Sequence, residues 1–479
     1  MIRRFAFPLV LGLLIGAGWV VHAHAQQALT VQETNLRAKP ATVLIISEVS
    51  AEVSLNCGGG VQTITPTSFK ETGTGWFIDP TGWVITNGHV VQPAYETPRW
   101  LVNQMAQRAV TTACLGPALK SAGLQPGDNP AAEDALKRRI LDKVLPTVKV
   151  TVKPEISVKL SSGLRLKAEV KKYSAPASAE AGAPSGRDLA LLKVPDGNYP
   201  ALPLSDATVQ IGDPIRILGF PGVVLSHELL NQSASVDASI TTGAISGLKQ
   251  DKANHPFLQT DASAAWGNSG GPAINSKGEL VGVLTFVSLA PGAEGSIVQG
   301  FNFAIPVRTV KTFVADTPVK LNQPGKFNAA WYAGLRDFYT EDWKGAKRKF
   351  EETDKIQPGL LDVKRMTEEA TEKVKNPPPR PFPWFWVTIG VTLLSAGGYG
   401  AQAGIRWQKN RYRVSPSEVI KLAESGNSPL IVDTRLQAQY DLNPIKIHNS
   451  IRISPEDLKN GAAASLELDT TRPVVAYCT

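Results

Sequence analysis

A mainly β fold built as two barrels is predicted for residues 26–318, and three observations predict it. Short apolar runs rich in β-branched and aromatic residues stand early in the chain. They are Ala41-Thr42-Val43-Leu44-Ile45-Ile46, Gly75-Trp76-Phe77-Ile78 and Gly82-Trp83-Val84-Ile85, divided by glycine and proline turns such as Cys57-Gly58-Gly59-Gly60. The same alternation of short strands and Gly/Pro turns returns from Ala201 to Ala315, as a second barrel needs. Between strand patterns of that second region lies one serine flanked by glycines, Gln259-Thr260-Asp261-Ala262-Ser263-Ala264-Ala265-Trp266-Gly267-Asn268-Ser269-Gly270-Gly271-Pro272. The apolar run Glu279-Leu280-Val281-Gly282-Val283-Leu284 follows it.

That loop has the composition of a nucleophile loop. A serine hydroxyl attacks only when a base removes its proton, and when backbone N–H groups face the oxygen that becomes negative. Gly267 accepts backbone angles that turn its N–H towards that of Ser269, and Gly270 and Gly271 leave room for a substrate chain. Two upstream contexts supply the partners: Thr86-Asn87-Gly88-His89-Val90-Val91 closes one strand pattern, and Gly186-Arg187-Asp188-Leu189-Ala190-Leu191-Leu192-Lys193-Val194 opens another. With these residues the sequence resembles the trypsin-like serine proteases, most closely their HtrA (Deg) branch. Gly300-Phe301-Asn302-Phe303-Ala304-Ile305-Pro306, Ile211 to Pro221 and Ala238 to Lys249 add to the likeness, which spans about Ala38 to Ala315.

The resemblance implies a chymotrypsin-like double β-barrel and peptide-bond hydrolysis by acyl transfer. Ser269 is then the expected nucleophile, His89 the base and Asp188 the residue that orients it, with the N–H groups of Gly267 and Ser269 as oxyanion hole. In such enzymes the residue six before the nucleophile lines the base of the primary pocket. Here that is Ser263, with Ala264 and Ala265 beside it as substrate-binding residues. No carboxylate stands there, so small or medium apolar side chains are expected before the cut. Asn268 replaces an aspartate found in many digestive relatives, so activation by a freed N-terminus is not expected.

The 479 residues exceed one domain, 43% are hydrophobic and the net charge is +8. Lysines and arginines are scattered, with few aromatics among them, so nucleic acid is not an expected partner. No Cys/His/Asp/Glu spacing suggests a metal site, and no cofactor is expected. Of three cysteines, Cys57 and Cys114 form a disulfide or stay apart; the sequence leaves that open.

The flanks add an export and membrane reading. Residues 1–25 have the positive start, apolar core and Ala23-His24-Ala25 ending of a signal peptide. The long connection from His89 to Asp188 predicts helix around Ala131 to Leu136 and strands at Val148 to Val152 and Leu164 to Val170. After the barrels no PDZ pattern appears. Residues 319–376 are helical by pattern, and Gly334, Ala346, Phe350 and Pro358 fit a single tetratricopeptide-like repeat or an ordinary helical hairpin. Residues 377–383 form a Pro-rich linker. Trp384 to Gly404, uncharged and bounded by Trp384, Trp386 and Trp407, is expected to cross a membrane. Residues 414–479 resemble the start of a rhodanese domain, through Pro429 to Arg435 and Arg472 to Cys478. The family's loop after the cysteine is missing from this sequence and Lys446 replaces its usual histidine, so this segment is expected to be a truncated rhodanese-like domain without sulfur transfer. The whole is a single-pass membrane protease, its protease domain on the exported (periplasmic or extracellular) side and its C-terminal segment cytoplasmic. It acts on exported or misfolded polypeptides, with self-association as an open question. The alternative is a proteolytically silent, membrane-anchored sensor that holds peptides in the barrel groove.

Overall fold

The computed structural model describes residues 29–176, 186–289, 297–379, 382–461, 469 and 471–478. The expected signal peptide and most of the Ala/Ser/Pro/Gly connection before Asp188 lie outside the described residues. Two compact units divide the chain, Met1–Pro378 and Pro379–Thr479.

The first unit begins with α1 (Val31–Ala38), capped by Thr30, whose side chain accepts from Glu33 N–H. The first barrel follows. Strands β1 (Thr42–Asn56), β2 (Val61–Ile64), β3 (Phe69–Asp79) and β4 (Trp83–Thr86) precede α2 (Gly88–Tyr95), α3 (Arg99–Ser121) and α4 (Pro130–Val144). Strands β5 (Lys149–Lys159), β6 (Arg165–Ser174) and β7 (Leu189–Lys193) complete it. The strand order is β2-β1-β3-β4-β7-β6-β5, and a β1–β5 pairing closes six of these strands into a barrel with β2 as an appendage. The second barrel is closed in the order β10-β13-β12-β11-β8-β9. Its strands are β8 (Pro214–Gly219), β9 (Ser239–Gln250), β10 (Pro256–Thr260), β11 (Pro272–Ile274), β12 (Leu280–Leu289) and β13 (Ile297–Pro306). Closure leaves no free edge in either barrel. Two six-stranded barrels in sequence fit the chymotrypsin-like double barrel.

The strands are longer than their sequence signals. β1 runs on through Asn56 because β5 pairs with it from Leu44↔Lys159 to Ser54↔Lys149, a partner that local propensity does not reveal. β9 runs unbroken through Gly243, which pairs with Ile215 of β8. The connection after His89 is packed structure. Leu101, Met105, Ala109 and Val110 of α3 are buried in one cluster with Val43, Phe77 and Val158 of the barrel. A disulfide joins Cys57, at the end of β1, to Cys114 of α3, with the Cα atoms 5.4 Å apart.

After α5 (Val307–Val314) come three helices, α6 (Lys326–Tyr339), α7 (Trp343–Ile356) and α8 (Leu361–Lys375). A methyl group built on Gly334 would lie 2.6 Å from the Phe350 ring, so the glycine lets α6 and α7 approach. Ala346 and Phe350 are fully buried, and Trp331 lies 5.2 Å from Phe350 between ring centres. This apolar face is covered by the first barrel itself. Phe327, Trp331 and Val363 belong to the barrel's own core cluster, and the Trp331 indole donates to the Leu36 carbonyl at 2.8 Å.

In the second unit, α9 (Trp384–Asn410) covers the expected membrane span but changes its meaning. No helix among the described residues is long and apolar enough to cross a membrane, so that expectation is corrected. The physical reason is dilution: Thr388, Thr392, Ser395, Gln402 and five glycines interrupt the apolar side chains of 384–404. Helix α10 (Pro416–Glu424) starts with a capping box at Ser415 and Glu418. Strand β14 (Leu430–Asp433), α11 (Gln437–Leu442), β15 (Ile451–Arg452), α12 (Pro455–Lys459) and β16 (Val474–Tyr477) follow. β14 pairs in parallel with both β15 and β16. The Asp-x-Arg element of β14 closes on itself: Arg435 Nη2 meets Asp433 Oδ2 at 2.6 Å, both side chains buried, and the guanidinium also donates to the Asn443 and Ile445 carbonyls. Cys478 is a free, exposed thiol.

The disulfide closes a long loop between a barrel strand and an inserted helix. Replacing both cysteines, Cys57→Ser with Cys114→Ser, is expected to lower the unfolding free energy by about 2–4 kcal/mol. Denaturant titration of oxidised wild type against the double variant measures it.

Candidate active site

Each candidate side chain is delivered by a strand end or a glycine turn. β4 ends at Thr86, and α2 starts at Gly88, so His89 sits in the first helical turn. Asp188 immediately precedes β7 and takes φ +50°, a left-handed conformation uncommon outside glycine. Five hydrogen bonds hold it there, one of them from its own N–H to the Ala175 carbonyl at 2.9 Å. Its Oδ1 accepts from the His89 backbone N–H at 2.9 Å, and its Oδ2 stands 2.8 Å from His89 Nδ1. The Asn87 amide donates to its backbone carbonyl at 2.9 Å, and the Thr285 hydroxyl donates to Oδ2 at 2.5 Å. Bonding at Nδ1 leaves Nε2 as the ring nitrogen that faces outwards.

Ser269 comes from the second barrel. Its hydroxyl donates to the Thr285 carbonyl at 3.2 Å, and not to His89. Thr285 therefore touches both halves of the arrangement, Asp188 through its side chain and Ser269 through its backbone. Thr74 of β3 supplies a second tie. Its N–H donates to the Ser269 carbonyl at 2.8 Å and its hydroxyl to the Gly267 carbonyl at 2.7 Å, while it accepts from Phe220 N–H at 3.0 Å.

The backbone around Ser269 turns two N–H groups outwards. In a trans peptide the C=O and N–H point in opposite directions. The Trp266 carbonyl accepts from Gly222 N–H at 2.7 Å, which turns the Gly267 N–H the other way. The Asn268 carbonyl accepts from Gly271 N–H at 2.9 Å, with the same effect on the Ser269 N–H. Among the described residues neither N–H has an intramolecular acceptor. Gly267 has φ +97°, and a Cβ there would lie 2.3 Å from the Phe220 carbonyl oxygen. Gly270 has φ +84°, and its Cβ would lie 2.1 Å from the Thr74 carbonyl oxygen. Glycine is obligatory at both.

The expected pocket residues are placed unequally. Ser263 is exposed, and its carbonyl accepts from the Thr241 hydroxyl at 2.8 Å. Ala265 is partly exposed, whereas Ala264 is buried in the second barrel's core with Ala262 and contributes backbone only. No carboxylate joins them. Of the other described histidines, His255 is held by Asp251 at 3.0 Å, and His227 and His448 are exposed. Among the described residues no cluster of His, Cys, Asp and Glu could hold a metal.

Three neighbours escape sequence reasoning. Thr285 and Thr74 act across the seam between barrels, and the only local signal for Thr285 is one hydroxyl in an apolar run. Glu71 of β3 is the third, through its charge. Burial pulls the His89 imidazole down, but the Asp188 carboxylate, by charge and hydrogen bond, and then Glu71 lift its pKa above the ordinary 6.5. Burial pushes the Glu71 carboxyl up, against the opposing pull of His89.

Comparison with known proteins bears on this arrangement. Residues 73–283 match the trypsin-like peptidase domain family. Its relatives include a Pseudomonas putida protein described as "Probable periplasmic serine endoprotease DegP-like", 32% identical over 148 residues, which are 30% of this chain and 27% of that protein. The serine endoprotease DegS of Haemophilus influenzae is 36% identical over 25% of this chain and 33% of its own length. DegS of Escherichia coli is 38% identical over 26% and 33%. The chain thus spans about a quarter to a third of the length of these relatives. A crystal structure of a serine endoprotease from Yersinia pestis aligns over 60% of this chain and 66% of that one, at 21% identity and a TM-score of 0.32, too low to add to the argument. The domain match and the Deg relatives support a serine endopeptidase.

A charged partner at Nδ1 predicts a direction. The His89 imidazole should titrate above 6.5 in the wild type, charged below that pH and neutral above it. Asp188→Asn removes the carboxylate charge, so the ring should lose its proton at a lower pH than in the wild type. Histidine NMR shifts followed against pH check this, and an unchanged midpoint would contradict the electrostatic account.

Proposed function

We propose that this chain is a serine endopeptidase that cleaves exported or misfolded polypeptides through an acyl-enzyme. The observation that carries the reading is the His89–Asp188 pair. A hydrogen bond of 2.8 Å at Nδ1 fixes the ring and leaves Nε2 to serve a neighbouring hydroxyl. In the proposed reaction the Ser269 hydroxyl turns from the Thr285 carbonyl to Nε2. The Oγ–carbonyl carbon bond forms as the Oγ proton passes to His89. The carbonyl oxygen, now negative, takes the two outward N–H groups of Gly267 and Ser269. The C–N bond then breaks as His89 passes that proton to the leaving amine. Water repeats the sequence on the acyl-enzyme and frees Ser269. Asp188 stays charged throughout and stabilises the imidazolium.

The compartment follows from chemistry. A disulfide between Cys57 and Cys114 suits an oxidising environment, and the Pseudomonas putida relative is described as periplasmic. Membrane anchoring is not carried forward, because no described helix meets the need. The absence of a carboxylate at Ser263 to Ala265 favours small or medium apolar side chains before the cut.

A second reading, a silent peptide-binding sensor, draws on one observation. The Ser269 hydroxyl rests on the Thr285 carbonyl at 3.2 Å rather than on the base. Labelling with an active-site phosphonate separates the two, since only an activated Ser269 reacts.

Wild type is expected to take the phosphonate label and to cleave an unfolded protein after small or medium apolar residues. Ser269→Ala should lose the label and on the order of 10⁴-fold or more in turnover with its fold unchanged. Equal cleavage by this variant, or a profile dominated by basic residues before the cut, counts against the assignment.

A further inference from the structure

Glu71 lies on β3 opposite Ser47 of β1, three residues before Thr74. Side chains two apart on a strand share a face, so Glu71 leaves the sheet on the side of Gly73. That side abuts the candidate site. A Cβ on Gly73 would stand 2.6 Å from the Val90 side chain and 3.2 Å from the Ser269 carbonyl oxygen. Val90 is the next residue after His89. The Glu71 side chain therefore shares the face of β3 that packs, at Gly73, against Val90 and the Ser269 carbonyl, and the mutual effect of Glu71 and His89 on their protonation places those two within electrostatic reach.

Among the described residues the Glu71 carboxylate feels His89 through charge alone and has no contacting cation. Among the described residues it makes no hydrogen bond and no ion pair, although it is partly buried. Its neighbours are paired. Lys70 faces Glu48 at 3.3 Å, and Arg165 bridges Glu48 and Glu155 at 3.3 and 3.2 Å. A half-desolvated carboxylate without a cation is costly to keep, and a cationic ligand side chain would offset that cost.

The reaction geometry says which part of a substrate reaches it. The acyl half lies against the second barrel, with its carbonyl on Gly267 and Ser269. In the proposed reaction the leaving amine receives its proton from His89, which the first barrel carries, so the chain beyond the cut would run over that barrel, beside α2 and β3. We propose that Glu71 is a specificity-determining residue that selects a lysine or arginine in the leaving-group half of the substrate. This inference rests on the endopeptidase reading.

The test uses the full chain and matched peptides whose first three leaving-side residues carry lysine or glutamine one position at a time. Wild type should show kcat/KM about fivefold higher for lysine at one of these positions. Glu71→Gln should erase that ratio while still cleaving the glutamine peptide, and Glu71→Lys should turn the preference towards glutamate. A merely structural role for Glu71 does not reverse a charge preference. Equal rates for both peptides in wild type, or a preference that survives Glu71→Gln, overturns the inference and leaves the endopeptidase reading standing. A wild type inert towards both peptides and towards the phosphonate removes that reading and this inference with it.

Discussion

Two buried threonines hold one barrel against the other, and the site depends on that grip. Thr74 belongs to the first barrel and binds the Ser269 and Gly267 carbonyls of the second. Thr285 belongs to the second and binds Asp188 of the first. The two ties run in opposite directions across the seam, so they fix separation and tilt together. Around them lies an apolar cluster that neither barrel owns: Trp76, Ile85 and Leu191 from the first meet Leu218, Ile274, Val283 and Ile305 from the second. The cluster supplies non-directional cohesion. The threonines convert that cohesion into a defined register, which a constellation shared between two barrels requires.

The same seam explains the resting position of Ser269. Its hydroxyl has one acceptor in the structure, the Thr285 carbonyl, and the proposed reaction requires a second, the imidazole nitrogen. The structure uses the first, at 3.2 Å, which is long for a hydroxyl donor. A weak bond to a backbone carbonyl costs little to break, and the proposed reaction asks only that the hydroxyl turn from it towards His89. In the proposed reaction the costly parts need no building: the Asp188–His89 pair, and the Gly267 and Ser269 N–H groups, which have no intramolecular acceptor among the described residues. Preorganised dipoles are worth most where they need not reorient.

Much of this was legible in the sequence, and what was not has a common cause. Gly267 and Ser269 are readable because a tight loop needs glycine where φ is unusual, and His89 and Asp188 because each stands at a strand end; Gly270 and Gly271, expected to leave room for a substrate chain, instead pack against the carbonyls of Thr74 and Leu218. Ser263 to Ala265 follow from chain spacing alone, and spacing does not say that the Ala264 side chain turns into the core. Thr74, Thr285 and Glu71 have roles set by residues far along the chain, so no local pattern marks them. The length of β1 and the pairing of Cys57 with Cys114 are likewise decided by a strand and a helix many residues away. In 384–404 the absence of charge and the flanking tryptophans suggest a span, but the threonines, serine and glycines between them bring the mean apolarity below what a membrane span needs.

The helices after the barrels complete the first unit as much as they follow it. A lone helical hairpin cannot bury its own apolar face, and here α6 lends Phe327 and Trp331 to the first barrel's core. Polar contacts specify the seat. The Asn328 amide both donates to and accepts from the backbone of Ala201, at 2.6 and 3.1 Å. A charged cluster extends the contact: Lys39 reaches Asp237 at 2.5 Å and Asp362 at 3.3 Å, and Arg365 of α8 reaches Asp237 at 2.8 Å. Asp237 closes the segment that leads from the Phe220-Pro221-Gly222 turn into β9, and Gly222 is the residue that holds the Trp266 carbonyl. Burial of Asp362 makes its charge dependent on the partly buried Lys39. The helices are therefore joined, through one short stretch of chain, to the backbone that turns the Gly267 N–H outwards.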